Sequence, residues 1–203
     1  MGLHAGSVVG VWWRPPPAAS LFQRWQVAES FGHPVAPVTA GMVEVPWDSL
    51  GASCIAIRRR TFEALGGFDE LLVAGEDPEL CYRITRAGGR VCVLADRWIY
   101  REPPRTLLAA ARKTIWYEWG NAQVAQKHPA SGYRMSLRSR WHAAGYLLLR
   151  TGLLAPLMFL NVSYRDRRPR PAFRPLATLL SYLGAWAYCL GWFASLPARE
   201  RAA

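Results

Sequence analysis

Two glycine pairs, Gly66-Gly67 and Gly88-Gly89, punctuate residues 52–95 and leave little choice of fold there. Ahead of the first pair, Ser53-Cys54-Ile55-Ala56-Ile57 reads as a short buried strand, and Arg58-Arg59-Arg60 follow where it emerges into solvent. A short helix over Thr61 to Leu65 is then stopped by Gly66-Gly67, because glycine adopts the left-handed backbone of a helix end without steric cost. Asp77-Pro78 has the form of a helix start. A carboxylate accepts from free backbone N–H groups, and a proline loses nothing at the first helical position. Leu80, Ile84 and Ala87 recur at i, i+4 and i+7 as the core face of that helix, Gly88-Gly89 ends it, and Arg90 to Ala95 is the next strand. Strand, helix, helix and strand in this order predict an α/β fold.

The rest of the chain extends the pattern. Ser7 to Trp12 is a strand-like run broken by Arg14-Pro15-Pro16-Pro17, and residues 19–31 carry Leu21, Phe22, Trp25 and Ala28 near helical spacing. Residues 32–50, rich in Pro, Gly and Val, read as an irregular loop and a candidate lid. A longer helix is expected from Arg105 to His128, with Leu108, Ala111, Ile115, Trp119 and Ala122 on its core side and Pro129 at its end. Leu176 to Leu196 holds no charged residue over 21 positions, enough to cross a hydrocarbon layer of about 30 Å. Trp141 to Leu160 is interrupted by His142 and Arg150 and is basic at both ends, which favours an interfacial or re-entrant helix over one arm of a two-span hairpin.

The net charge of +11 among 203 residues invites a nucleic-acid reading, but its distribution argues against one. Residues 1–129 carry 14 Lys and Arg against 12 Asp and Glu, whereas residues 130–203 carry 11 against 2. The excess thus flanks apolar stretches, as on a cytoplasmic membrane face, and the linker from Tyr164 to Pro175 concentrates it. No aromatic-basic platform accompanies it. Lys113 and Lys127 are the only lysines, and with many alanines this points to a GC-rich bacterial genome. The cysteines, Cys54, Cys81, Cys92 and Cys189, form no C-x-x-C pair and are expected as buried reduced thiols. Met1 to Arg14 lacks the features of a signal peptide, Gly6 breaks a myristoylation motif, and the sequon Asn161-Val162-Ser163 is read as chance.

Two elements in succession carry a family resemblance. Arg59-Arg60-Thr61-Phe62-Glu63-Ala64-Leu65-Gly66-Gly67-Phe68-Asp69-Glu70 is followed by Glu76-Asp77-Pro78-Glu79-Leu80 and Arg83. Together they resemble the R-R-x-x-F-x-x-x-G-G-F-D-E segment and E-D-x-E-L-x-x-R helix of inverting family 2 glycosyltransferases of GT-A fold, over residues 7 to about 129. The resemblance implies a partial, Rossmann-like GT-A domain, its second half only, over residues 1–129. A basic, membrane-associated helical region would follow over 130–203, with 141–160 interfacial or re-entrant and 176–196 a transmembrane candidate. It further implies that Asp77 is the base that deprotonates an acceptor hydroxyl, with Glu76 as its neighbour and an acceptor ligand. Helix-capping is the structural alternative for Asp77, and a helix N-terminus that favours the anion also weakens it as a base. Arg83 would orient acceptor or diphosphate, or form a salt bridge; Gly51 and Ser53 would line the cleft floor, or make a turn and start a strand. Trp47 and Trp98 offer flat faces on which a sugar could stack, although core packing is the commoner fate of tryptophan.

Two departures accompany the resemblance. The family's D-x-D, which holds a divalent cation (Mn or Mg) on the donor diphosphate, occurs nowhere in this sequence, so a truncated or split form is expected, its nucleotide-binding half on a separate chain. Where many relatives carry a histidine of the metal shell, this chain has Tyr100-Arg101-Glu102; an arginine cannot ligate a cation but can offset diphosphate charge, so no metal ligand is assigned. The Q-x-x-R-W motif of processive members is absent too. The expectation is transfer of single sugars, with inversion, from a nucleotide-sugar donor to a lipid-linked or glycan acceptor at the cytoplasmic face of a bacterial inner membrane. The alternative is a non-catalytic, membrane-associated subunit that binds a glycan or a protein.

Overall fold

Strands β1 (Val8–Arg14) and β4 (Val91–Tyr100) run parallel at the centre of a four-stranded sheet in a computed structural model that describes residues 7–31, 41–153 and 174–194. The sheet order is β2-β4-β1-β3, with β2 (Met42–Glu44) antiparallel to β4 and β3 (Ile55–Ile57) antiparallel to β1. Among the described residues six α-helices follow the chain: α1 (Leu21–Phe31), α2 (Arg59–Ala64), α3 (Glu76–Arg86), α4 (Leu107–Lys127), α5 (Arg140–Gly152) and α6 (Arg174–Ala194). They divide between two compact units, one of residues 1–19 and 33–102 and one of residues 20–32 and 103–203.

The first unit is the α/β part. Val8, Leu50, Leu80, Cys81, Ile84, Val91 and Val93 make its buried core, so α3 presents Leu80 and Ile84 of the predicted face to the sheet, while Ala87 follows the helix as its C-cap and is exposed. Gly10 is required where it stands, because a Cβ there would collide with Leu50. β4 continues beyond Ala95, where the apolar run ends. The register with β1 shifts between Val11↔Leu94 and Trp12↔Trp98, and the exposed Asp96 and Arg97 occupy the irregularity. A bulge of this kind lets a strand carry charges outward and resume pairing, which alternation alone does not reveal. β3 is shorter than predicted and is an edge strand: Ala52–Cys54 form a single 3₁₀ turn, and Ala56 and Cys54 are exposed. The expectation of four buried thiols is therefore corrected at Cys54, while Cys81, Cys92 and Cys189 are buried.

The second unit is helical. Ser20 and Gln23 form a reciprocal capping box at the start of α1: Gln23 N–H donates to Ser20 Oγ (3.2 Å) and Ser20 N–H to Gln23 Oε1 (2.9 Å). Gln23 Nε2 and Gln26 Nε2 donate to the carbonyls of Pro103 and Pro104 at 2.9 and 2.8 Å, which attaches α1 to the chain entering α4. Thr106 and Ser139 cap α4 and α5 through their hydroxyls. The core face of α4 differs from the predicted one: Leu108 and Ile115 are exposed, and the buried residues include Ala110, Gly120, Ala122, Val124 and Ala125. α4 packs closely on α6 there: a Cβ at Gly191 would come within 3.0 Å of the α4 backbone at Trp119, and one at Gly184 would press on the side chains of Thr114 and Glu118. Predictions for residues 1–6, 32–40, 154–173 (most of the basic linker and the sequon among them) and 195–203 fall outside the described residues.

Candidate acceptor site at the start of helix α3

Gly75 has φ +86°, in the left-handed region that only glycine enters freely, and this turn delivers Glu76, Asp77 and Pro78 as the first turn of α3. Asp77 is therefore not the cap; the cap position is Gly75, which has no side chain to bond. The helical ladder begins with Glu79 N–H donating to Gly75 O at 3.1 Å, so Pro78 costs no hydrogen bond. With Glu76, Asp77 and Glu79 in the first turn and Arg83 and Arg86 in the last, the helix matches its own dipole at both ends.

The two oxygens of Asp77 lie in different surroundings. Oδ1 is buried, while Oδ2 stands 3.5 Å from the position a Cβ would take on Gly51. A side chain at 51 would thus come into van der Waals contact with that carboxylate oxygen. One turn on from Asp77, Cys81 is buried, and its thiol is pushed up to about 12, first by desolvation and then by the neighbouring Asp77 charge. Cys81 is thus a protonated packing group and no nucleophile at neutral pH.

Two residues along from Gly51, the exposed Ser53 accepts a hydrogen bond from Arg101 Nη1 at 2.8 Å. Arg101 follows β4, its backbone N–H donates to Arg14 O at 3.0 Å, and its guanidinium lies 5.8 Å from the Trp13 ring centroid. Arg14 in turn stacks 3.9 Å over Trp98. Because β1 and β4 are parallel, Arg14, Trp98 and Arg101 collect at their shared carboxyl end, the end at which open α/β sheets bind ligands. Trp98 remains 42% exposed, one face taken by Arg14. Trp47 is placed differently: it stands edge-on to Tyr82 of α3 at 5.2 Å and packs on the core, bracing α3.

Arg83 is committed to the framework. Its Nε donates to both carboxylate oxygens of Glu79 (3.0 and 2.9 Å) and Nη2 to Glu79 Oε2 (2.7 Å), while Nη1 and Nη2 bond the carbonyls of Leu65 and Gly67. Glu79 is fully buried and Arg83 one-fifth exposed. The glutamate and arginine of the E-D-x-E-L-x-x-R pattern are thus an i,i+4 pair whose arginine grips the turn made by Gly66 (φ +82°) and Gly67 (φ +72°). That grip joins the two motif segments physically. The spacing of Glu79 and Arg83 was visible in the sequence; that the pair is buried, and that Arg14 and Tyr82 belong to the surroundings, was not.

Among the described residues no three His, Cys, Asp or Glu side chains gather as a cation site. The side chains around Asp77 and Arg101 do not by themselves fit a divalent cation, and no step below runs through one.

Residues 18–117 match the sequence model of a family described as "Glycosyltransferase like family 2", a stretch that contains every site residue expected from the sequence, while Trp13 and Arg14 lie before it. Over 82 residues the chain is 38% identical to the O-antigen biosynthesis protein RfbC of Myxococcus xanthus, a match covering 35% of this chain and 6% of that protein. The chain thus corresponds to a small part of that relative's length. No solved structure matches.

Proposed function

We propose, for a chain that belongs to the family 2 glycosyltransferases through its residues 18–117, that it carries the acceptor side of a sugar transfer with Asp77 as general base. The observation that carries this reading is the posture of Asp77 in the first turn of a helix: one oxygen is buried and the other lies beside Gly51, where there is no side chain. In the proposed step an acceptor hydroxyl gives its proton to Asp77 as its oxygen attacks the anomeric carbon of a nucleotide-activated sugar. The bond from that carbon to the diphosphate breaks, the nucleoside diphosphate leaves with the electron pair, and configuration inverts. The helix N-terminus keeps the base ionised between turnovers.

The neighbouring residues take supporting parts. Glu76 receives a second acceptor hydroxyl, and the open face of Trp98 receives the sugar ring, since stacking on an aromatic face suits the apolar side of a pyranose. Arg101, held at Ser53, offsets charge on the departing diphosphate. Trp47 and Arg83 act from behind, through Tyr82, Glu79 and the glycine turn. A divalent cation and the remaining donor contacts belong, in this reading, to a nucleotide-binding segment outside the present sequence, which has no D-x-D. Without Q-x-x-R-W, one sugar is transferred per encounter. The Myxococcus relative is named for O-antigen biosynthesis, which supports a lipid-linked or glycan acceptor, and we place the reaction at the cytoplasmic face of the inner membrane.

The test is transfer of labelled sugar from a panel of nucleotide sugars, with Mn²⁺ or Mg²⁺, to lipid extract and to glycan. It is run with the purified chain alone and with host extract supplying other components. Label appearing in lipid or glycan only when this chain is present is the expected result. Absence of transfer and of nucleotide binding under both conditions would favour the second reading, a membrane-associated module that binds glycan or protein; the missing D-x-D is the observation on its side.

A further inference from the structure

Helix α6 is long and apolar enough to cross a bilayer over Pro175–Ala194, yet its neighbours in the helical unit do not belong in hydrocarbon. Gly184 lies midway along those 20 residues, roughly 14 Å from either end at about 1.5 Å per residue, which is the midplane of a bilayer. A Cβ at Gly184 would sit 3.1 Å from Cγ of Glu118 and 3.2 Å from Cγ2 of Thr114 on α4. Glu118 is paired with Arg134 at 3.4 Å, and Arg150 of α5 donates to Ser181 Oγ at 2.6 Å and to Ser181 O at 3.1 Å. Further along, Gln126 of α4 bonds the carbonyl of Trp192. Three charged side chains therefore bear on the middle of α6, and α4 itself carries Arg112, Lys113, Glu118 and Lys127. Inserting α6 would take these charges into the membrane or strip α4 from it, and either is costly.

The membrane-seeking surface lies elsewhere. α5 turns its small Ala143 inward and presents Trp141 (87% exposed) and, two turns on, Leu148 (72% exposed) outward. The exposed Arg138 and Arg140 flank the tryptophan. Residues 130–203 hold 11 arginines against 2 acidic residues, a charge complementary to anionic headgroups. We infer that the helical unit docks on an anionic phospholipid surface through the Trp141–Leu148 ridge of α5, and that α6 stays out of the hydrocarbon as a bundle helix packed on α4. Tryptophan and leucine enter the headgroup and acyl boundary while Arg138 and Arg140 meet lipid phosphates.

This rests on the reading that the protein works at a membrane, but its test does not use turnover. The full chain is floated with vesicles of phosphatidylethanolamine and phosphatidylglycerol, and with phosphatidylcholine alone. Wild type, Trp141→Glu and Leu148→Glu are compared, with Leu148→Gln and thermal melts controlling for folding. Expected are binding to the anionic vesicles, at least tenfold less for either Glu variant, for phosphatidylcholine and in 1 M salt, and release of wild type by alkaline carbonate. Resistance to carbonate with residues 175–194 protected from protease would overturn the inference, because α6 would then cross. So would binding indifferent to both Glu variants, or no vesicle binding and a self-association that those variants abolish. Wild-type chain that binds vesicles as expected yet transfers no sugar in the separate assay above would sink the catalytic reading and leave this one standing.

Discussion

In the α/β unit a fully buried glutamate and its arginine tie α3 to a glycine turn by directional bonds, whereas in the helical unit Gly191 lets α6 meet the backbone of α4 and Gly184 makes room for its side chains. The first arrangement depends on polar geometry and sets one carboxylate, Asp77, beside Gly51. The second depends on shape and holds a body whose outward residues are free to be apolar, as Trp141 and Leu148 are. The difference teaches where each unit is vulnerable: the site fails when a charge loses its partner, and the bundle fails when a hydrogen is replaced by carbon.

The largest effect is expected from Arg83→Met, which leaves Glu79 buried and two carbonyls without their donor; the α/β unit should lose about 3–5 kcal/mol. Chemical denaturation measures this, and Glu79→Leu added to Arg83→Met should restore part of it by removing the orphaned charge. A loss no greater than that of a surface arginine would show that the clamp does not organise the unit. Next comes Gly191→Leu, whose Cβ would lie 3.0 Å from both Cα and O of Trp119; overpacking there should cost about 1–3 kcal/mol. Amide exchange should quicken in α4 and α6 while β1 and β4 keep their protection, and equal quickening in both units would erase the distinction drawn between them.

The smallest effect concerns Cys81. Its folded thiol holds a proton to about pH 12, against an ordinary value of 9.0, so the unfolded chain releases that proton first. Its contribution to stability is complete below pH 9 and declines as pH rises toward 12. Cys81→Ala should lower stability at neutral pH through the cavity yet flatten the decline between those values. An unchanged slope would mean that other groups govern the alkaline transition.

The sequence was informative wherever backbone chemistry is local. Gly66-Gly67, Gly88-Gly89 and Asp77-Pro78 located α2, α3 and the strand after them to within a few residues, because a left-handed glycine and a missing N–H act over one turn. Legibility failed where the deciding partner is distant. The inward face of α4 is set by its packing on α6, and the continuation of β4 past Asp96-Arg97 by pairing with Trp12 to Arg14 of β1. Within the site, the family resemblance brought out Asp77 and Glu76, but the placing of Asp77 beside Gly51, the bond from Arg101 to Ser53 and the burial of Glu79 are properties of the folded unit.

The central claim is that Asp77 is placed to take a proton from an acceptor, and the most direct measurement is sugar transfer by Asp77→Asn, set beside acceptor binding and thermal stability. A fall of about 10²–10⁴-fold in turnover, with binding and melting temperature close to wild type, is the predicted result. Turnover retained within a few-fold in a folded Asp77→Asn protein would contradict the account and leave the first turn of α3 with a structural role alone.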